Sequence, residues 1–400
     1  MRRFDESFSP VVRNHVVLLT IARTTANASY RFAPPFLATI ARGFDMSISQ
    51  MGIALTVSEL TGLASPFIGQ RVDAMTRRQA MRVSLVGVGL GAIIAGAAPN
   101  LAVFTIAIII LGAAKVGFDV ALGAWIADHV PWNKRSAVVG FTEISWALGM
   151  LVGVSSLGLI TSVTNWRWAY AVSAMGVLLL AWMVSNRLPI NDDVAHHHDE
   201  PTSGEHGVLL PGSWLAIASC FTLMGAIQCI FVTFGPFLED TFGFTEAGLA
   251  AMGFSLGLAE LLSSTSSARF TDVWGKQRSA ALGAALMVPA ALVIAGLGDR
   301  LVPALIGLVL VILGFEFAIV SLLPIGTQLV PGRRGRGMGL LLGAGTLGRA
   351  AVSIGATRLY DDHGVEPAAI GSALFATATA LLILSHSKVG HSRVSRGRRS

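Results

Sequence analysis

The sequence predicts an all-α integral membrane protein with twelve transmembrane helices in two pseudo-symmetric six-helix bundles. Three observations predict it. The 400-residue chain is 53% hydrophobic and only 13% charged, with a mean hydropathy of +0.66. A soluble domain carries about a quarter charged residues, so this chain has too little polar surface to face water. Apolar stretches near the ~20 residues that cross a bilayer recur along its whole length. A charged hairpin then appears at the same place in each half of the chain.

The apolar stretches fall at about 14–41, 47–70, 79–98, 101–127, 136–162 and 167–186, then 213–237, 246–268, 279–298, 301–329, 337–360 and 367–386. They are numbered here as spans 1 to 12. Most connections are short, as antiparallel neighbours require. Residues 187–212, "RLPINDDVAHHHDEPTSGEHGVLLPG", are the exception. This polar linker separates an N-terminal bundle (1–186) from a C-terminal bundle (213–388), and residues 389–400 form a basic tail. The run His196, His197, His198 reads as solvated linker and not as a metal site, since no Cys lies near and the spacing fixes no ligand geometry. Cys220 and Cys229 share one apolar stretch. At ~1.5 Å per helical residue they are beyond disulfide range and read as inert thiols. The charged start "MRRFDESFSP" leads into a long apolar run with no small-residue cleavage site, which reads as a retained first helix.

Lys and Arg set the orientation. With a cytoplasmic N-terminus, 21 of the 29 Lys and Arg fall in cytoplasmic termini and loops. Arg42, Arg167, Arg300 and Arg358 fall outside. The expected location is the cell (inner or plasma) membrane, multi-pass, with both termini cytoplasmic. The tail "SRVSRGRRS" reads as a topological segment facing membrane lipid. No aromatic residues interleave with its charges, so no nucleic acid partner is expected.

Away from the span ends, nine charges are candidates for an intramembrane position: Arg23, Arg31, Glu59, Lys115, Asp119, Glu143, Glu260, Glu316 and Arg349. A charge at the bilayer centre costs at least ~2.5–3.5 kcal/mol on insertion scales, so each is a candidate for function. Spans 3, 6, 9 and 12 hold none of these nine. Arg23, Asn27 and Arg31 are spaced four apart, which puts them on one face of span 1. Glu59 in span 2 is the nearest plausible partner of Arg31. Pro34 and Pro35 are placed to kink the outer end of span 1. Lys115 and Asp119 are also four apart and are spaced to pair along span 4, either as a structural salt bridge or as part of a cavity. Glu316 and Arg349 lie at similar depth in spans 10 and 11. Tyr30, Trp146, Gln228 and Phe234 are candidates for a substrate surface or for ordinary packing.

The two halves echo each other. Asp73, Arg77 and Arg78 follow span 2, and Asp272, Lys276 and Arg278 follow span 8. "ADHVPWNKRS" after span 4 holds Asp128, Pro131 and Arg135; "TQLVPGRRGRG" after span 10 holds Pro331, Arg334 and Arg336. Repeated halves are the architecture of many secondary transporters. On these residues the chain resembles the major facilitator superfamily over essentially its whole length. Gly69, Asp73, Arg77 and Arg78 match that family's Gly-x-x-x-Asp-x-x-x-Arg-Arg loop, with Thr76 where the family usually has Gly. In span 5, Gly140, Gly149, Gly153 and Gly158 are in register with the glycine motif of its proton-driven drug antiporters, while Val154 replaces the motif's Pro and Leu157 a Gly. Small residues at such spacing also simply let helices pack closely. The resemblance implies that spans 3, 6, 9 and 12 are peripheral and that the other spans line a central cavity. It also implies a cytoplasmic latch, formed in the outward-open state, in which Asp73 meets the start of span 11 and Arg77 bridges to Asp128.

The function expected is proton-coupled efflux of a small organic compound by alternating access, similar to bacterial drug and arabinose-efflux-like permeases. Uptake of a small metabolite, anionic or neutral, by a proton symporter is the alternative, and a non-transporting receptor or scaffold is a third reading. No enzyme activity and no cofactor are expected: the histidines lie outside the middles of the spans, and no nucleotide-binding Gly-x4-Gly-Lys loop occurs. The partners expected are a small-molecule substrate, protons and lipid. In the first half three cations oppose three acids; in the second, Glu260 and Glu316 face Arg349 alone. An acid left over in a buried site escapes the desolvation cost by taking a proton. Glu260 is therefore the first candidate proton carrier, with Glu59 second. The competing expectation is a neutral Glu260 hydrogen-bonded to Ser263 or Ser264.

Overall fold

A computed structural model describes residues 8–64, 67–68, 71–72, 74–189, 209–330 and 334–397. Gly69, Asp73, the His196–His198 run and Pro331 lie outside the described residues, as do the side chains of Arg135, Asp272, Arg334 and Arg336. The described residues are helical almost throughout, with no strand among them. Among the described residues ten helices are long and apolar enough to cross a membrane. Spans 1 and 2 are the remaining two of the twelve expected, span 2 being described only in part beyond Ala64. Span 1 is the helix Pro10–Arg31, diluted by its polar face, and it stops at a turn over Phe32–Phe36 before the short helix Leu37–Arg42. Pro34 and Pro35 thus interrupt span 1 where a kink was expected, because proline lacks the N–H needed to continue the helical ladder. Span 2 runs as an α-helix over Ile48–Glu59 and tightens to a 3-10 turn at Leu60–Ala64.

The other spans follow in order. Spans 3 to 6 are Arg77–Ala97, Leu101–His129, Trp132–Val163 and Trp166–Arg187. Spans 7 to 9 are Ser213–Phe242, Glu246–Trp274 and Lys276–Leu297, span 7 breaking briefly at Val232–Thr233. Spans 10 to 12 are Leu301–Gly326, Arg334–His363 and Val365–Gly397. Span 12 runs on through Gly397, into the stretch expected as a tail.

Packing repeats between the halves. Span 3 packs on spans 4 and 6, and span 1 on spans 4, 5 and 6; span 9 packs on spans 10 and 12, and span 7 on spans 10, 11 and 12. The described residues cluster into two compact units. The first holds those within Met1–Asp45, Val57–His198 and Phe244–Gly257, the second those within Met46–Thr56, Asp199–Gly243 and Leu258–Ser400. Two half-spans therefore cross over, the start of span 2 grouping with the second unit and the start of span 8 with the first. Ser49 N donates to Asp361 Oδ2 at 2.7 Å within the second unit. Spans 3, 6, 9 and 12 expose large apolar side chains such as Leu90, Leu179, Trp182, Leu286, Leu374 and Leu381. Exposed leucines along the apolar middles of these helices suit acyl chains, not water.

The two hairpins reach their following spans by different means. Thr76 caps span 3: its Oγ1 accepts from Gln79 N at 3.2 Å, and Gln79 Oε1 accepts from Thr76 N at 3.4 Å. This reciprocal cap satisfies two otherwise orphaned N–H groups, which accounts for Thr where the resembling motif has Gly. Gly275, at the matching place before span 9, has φ +87°, a conformation that a Cβ disfavours.

Candidate functional site

The first unit gathers the charges of spans 1, 4 and 5 into one network. Arg23, 8% exposed, is its hub. Its Nε donates to Asp119 Oδ1 at 3.0 Å, and one terminal nitrogen donates to Glu143 Oε1 at 2.8 Å and to the Thr142 carbonyl at 3.2 Å. Lys115, 4% exposed, donates to the other oxygen of Asp119. Asp119 thus bridges two buried cations. A buried charge is tolerated only when paired, and four helical residues supply two charges of each sign. The Glu143 side chain is 44% exposed, so the network is reached from outside through this acid.

Aromatic faces surround the cations. Lys115 Nζ lies 4.0 Å from the centroid of Trp146 and 5.7 Å from that of Tyr30. Arg31 lies 5.6 Å from the same Trp146 ring and donates to the Trp146 carbonyl at 3.0 Å. A cation over an indole face is attracted by the ring quadrupole. Tyr30 donates its hydroxyl to Glu59 Oε2 at 3.1 Å. The polar face expected on span 1 is therefore present, with Arg23 on acids of spans 4 and 5 and Arg31 on Trp146. Asn27, between them, is fully buried and donates to Ser145 Oγ at 3.2 Å, while its Oδ1 has no hydrogen-bond partner among the described residues.

The Arg31 carbonyl contact sits beside a break in helical register. Span 5 is α-helical to Leu148, a π-helix over Gly149–Val154, and α-helical again from Ser155. The wide turn displaces carbonyls from their usual donors. The Ser155 hydroxyl serves the Met150 carbonyl at 3.1 Å, and Arg31 serves that of Trp146. Val154 ends the wide turn at the position where the resembling motif has proline. Such single wide turns concentrate at functional sites. Gly149 and Gly153 face span 1 here: a Cβ on Gly149 would fall 2.9 Å from Asn27 Cβ, and one on Gly153 would fall 2.3 Å from Ala28 Cβ. A Cβ on Gly158 would fall 2.5 Å from Phe36, whereas one on Gly140 would meet nothing within 4 Å. Three of the four glycines therefore secure close packing. Gly153→Leu should abolish stable folding, read as loss of the monodisperse peak after detergent extraction, while Gly140→Ala should leave that peak intact.

Arg77, at the start of span 3, donates to Asp128 Oδ2 of span 4 at 2.8 Å, and Arg78 beside it is half-buried. The second unit holds Glu260, Glu316 and Arg349. Glu260 is 4% exposed. The Ser264 hydroxyl joins the Glu260 backbone carbonyl (2.8 Å) to Glu316 Oε1 (2.7 Å), and Ser263 donates to the Leu313 carbonyl at 2.7 Å. The hydroxyls of both serines thus donate to acceptors other than the Glu260 carboxyl. Gln228 donates to Ser353 Oγ at 2.8 Å, and Ser353 donates to the Arg349 carbonyl at 2.9 Å. Phe234 is buried against Phe231. Sequence reasoning missed Ser145 and Ser353, since a serine in an apolar helix carries no signal until its neighbour is known. Among the described residues no group of His, Cys, Asp and Glu is arranged to hold a metal.

Comparisons with known proteins agree with this architecture. The Major Facilitator Superfamily model matches residues 19–353. The MFS-type transporter YwfA of Bacillus subtilis (strain 168) is 26% identical over 275 residues, 65% of this chain and 65% of its own length. The multidrug resistance protein MdtG of Escherichia coli O1:K1 / APEC is 30% identical over 135 residues, 34% of this chain and 33% of its own. The chain thus spans less than two thirds of these curated relatives. A bacterial homolog of the human lysosomal transporter Spinster, in an inward-facing and occupied conformation, superposes with a TM-score of 0.76 at 13% identity, covering 95% of this chain and 97% of that one. The human organic anion transporter MFSD10 (TETRAN) superposes with a TM-score of 0.69 at 19% identity, covering 94% and 100%. With 335 consecutive residues matched, and with six-span packing repeated in each half, the chain belongs to the major facilitator superfamily.

Proposed function

We propose that this protein is a secondary transporter that exports a small organic compound across the cell membrane in exchange for protons. The observation that carries the reading is the network of Arg23, Lys115, Asp119 and Glu143 within membrane spans of the first unit. Intramembrane charges are expensive, and a merely structural helix bundle has no need of four. A proton or a polar ligand enters the network at Glu143, the more exposed of its two acids, and alters its pairing. Glu260 serves as the main proton carrier and Glu59 as the second. Glu260 is buried in a membrane span of the second unit, the shielded placement a proton carrier needs. Arg77 and Asp128 form part of a cytoplasmic latch with Gly69, Asp73, Arg78 and Arg135, both termini being cytoplasmic. Relatives named for multidrug resistance favour the outward direction.

Uptake of an anionic metabolite is the second reading. It is favoured by two cations, Lys115 and Arg31, over one indole ring. Vesicles of the two orientations separate the readings. Export predicts that everted vesicles energised with an acidic interior accumulate substrate while right-side-out vesicles do not. Accumulation by right-side-out vesicles with an acidic exterior would replace export with uptake.

A further inference from the structure

On the first unit a groove of about 710 Å³ lies between spans 3 and 6, away from the charge network. Small residues, including Gly96, Ala97 and Ala171, make it concave, and exposed Ile93, Met175 and Leu179 wall it. Those exposed walls lie in the apolar middles of spans 3 and 6, the stretch of each helix suited to acyl chains and not to water. One end carries a single cation, Arg167, beside exposed Trp168. No carboxylate lines the groove. Arg167 is held in place: one terminal nitrogen donates to the carbonyls of Gly96 (3.2 Å) and Ala98 (2.6 Å), and the guanidinium lies 4.3 Å from the Trp166 ring centroid and 5.3 Å from that of Phe44. Its other terminal nitrogen and its Nε make no hydrogen bond among the described residues and keep their donors for a ligand.

Position along the helix completes the match. Arg167 begins span 6, at the membrane–water boundary, where an exposed Trp is a common anchor. From Arg167 to Leu179 the helix rises roughly 18 Å at ~1.5 Å per residue. One leaflet of a ~30 Å hydrocarbon core is about 15 Å deep. The groove therefore runs from a fixed cation at the interface to the depth at which an acyl chain ends.

We propose that this groove is a specific site for one glycerophospholipid with an anionic headgroup, its phosphate on Arg167 and one acyl chain along the small-residue floor. A zwitterionic headgroup brings an ammonium for which the groove offers no acid, so phosphatidylglycerol should be preferred over phosphatidylethanolamine of the same chains. Native mass spectrometry of the full chain, delipidated in detergent and incubated with each lipid, tests this. The expected result is one phosphatidylglycerol retained per protein, roughly fivefold above phosphatidylethanolamine, whose phosphate is the same but whose ammonium is repelled by the guanidinium and meets no acid. Arg167→Gln should reduce phosphatidylglycerol to the level of phosphatidylethanolamine. Because Arg167 also holds the end of span 3, a second variant guards the test: Ala171→Phe, at an exposed floor position, should fold normally and lose both lipids. Equal retention of the two lipids by the unaltered protein would overturn the headgroup assignment, and retention by Ala171→Phe at the unaltered level would overturn the groove.

Discussion

Asp119→Asn should both destabilise the protein and abolish transport, and the two losses should separate on a second substitution. Asp119 accepts from Arg23 and from Lys115, so the amide leaves two cations in the first unit sharing Glu143 alone. Breaking a buried pair in this way costs about 3–5 kcal/mol, because an uncompensated charge remains. Removing Lys115 as well restores the balance, leaving Arg23 with Glu143. Asp119→Asn with Lys115→Met should therefore recover most of the thermal stability lost by Asp119→Asn. A double-mutant cycle should give a coupling of roughly 2 kcal/mol or more, well above the few tenths expected of independent sites. Transport should stay absent in the double variant, since the network no longer offers two acids and two bases. Additive stability effects would mean that Lys115 and Asp119 are not coupled, and recovered transport would reduce the pair to a structural brace.

Glu260→Gln should uncouple transport from the proton gradient without preventing substrate exchange. The amide is nearly isosteric with a protonated carboxyl and cannot release a proton. Glu260 is 4% exposed on span 8, where packing tolerates little change of shape. The variant should fold, bind substrate and exchange labelled for unlabelled substrate near the unaltered rate, while pH-driven accumulation falls to the level of empty liposomes. Proton-driven accumulation at the unaltered rate would remove Glu260 from the coupling step, and the same pair of assays on Glu59→Gln would then test the second carrier. The hydroxyl of Tyr30 on Glu59 gives that residue a partner able to follow a change in its charge.

Much of the fold was legible in the sequence because the bilayer imposes one rule on every span. An apolar run of fixed length is readable without neighbours. The i,i+4 pair Lys115–Asp119 was legible for the same reason, since both partners lie on one helix. What crosses between helices was not. Arg23 was readable as a buried cation, but its bridge to Asp119 and Glu143 depends on how spans 1, 4 and 5 meet. The span-5 glycines were readable as small residues at a spacing; only the packed helix reveals that Gly149 and Gly153 face span 1 while Gly140 faces open space. The wide turn at Gly149–Val154 left no sequence signal beyond a missing proline. The crossing of half-spans between the two units was equally silent, because a continuous apolar helix gives no sign of where along its length its neighbours change.

Substrate-dependent proton movement tests the central claim most directly. Purified protein is placed in proteoliposomes enclosing a pH-sensitive dye, with no imposed gradient, and a panel of small organic compounds is added one at a time. The proposed exchange predicts that a transported compound, moving down its own gradient, drives protons the opposite way. The internal pH should change at once in the unaltered protein and should not change with Glu260→Gln. Transport of a labelled compound with no accompanying pH change, or an identical pH change in the Glu260→Gln protein, would contradict it.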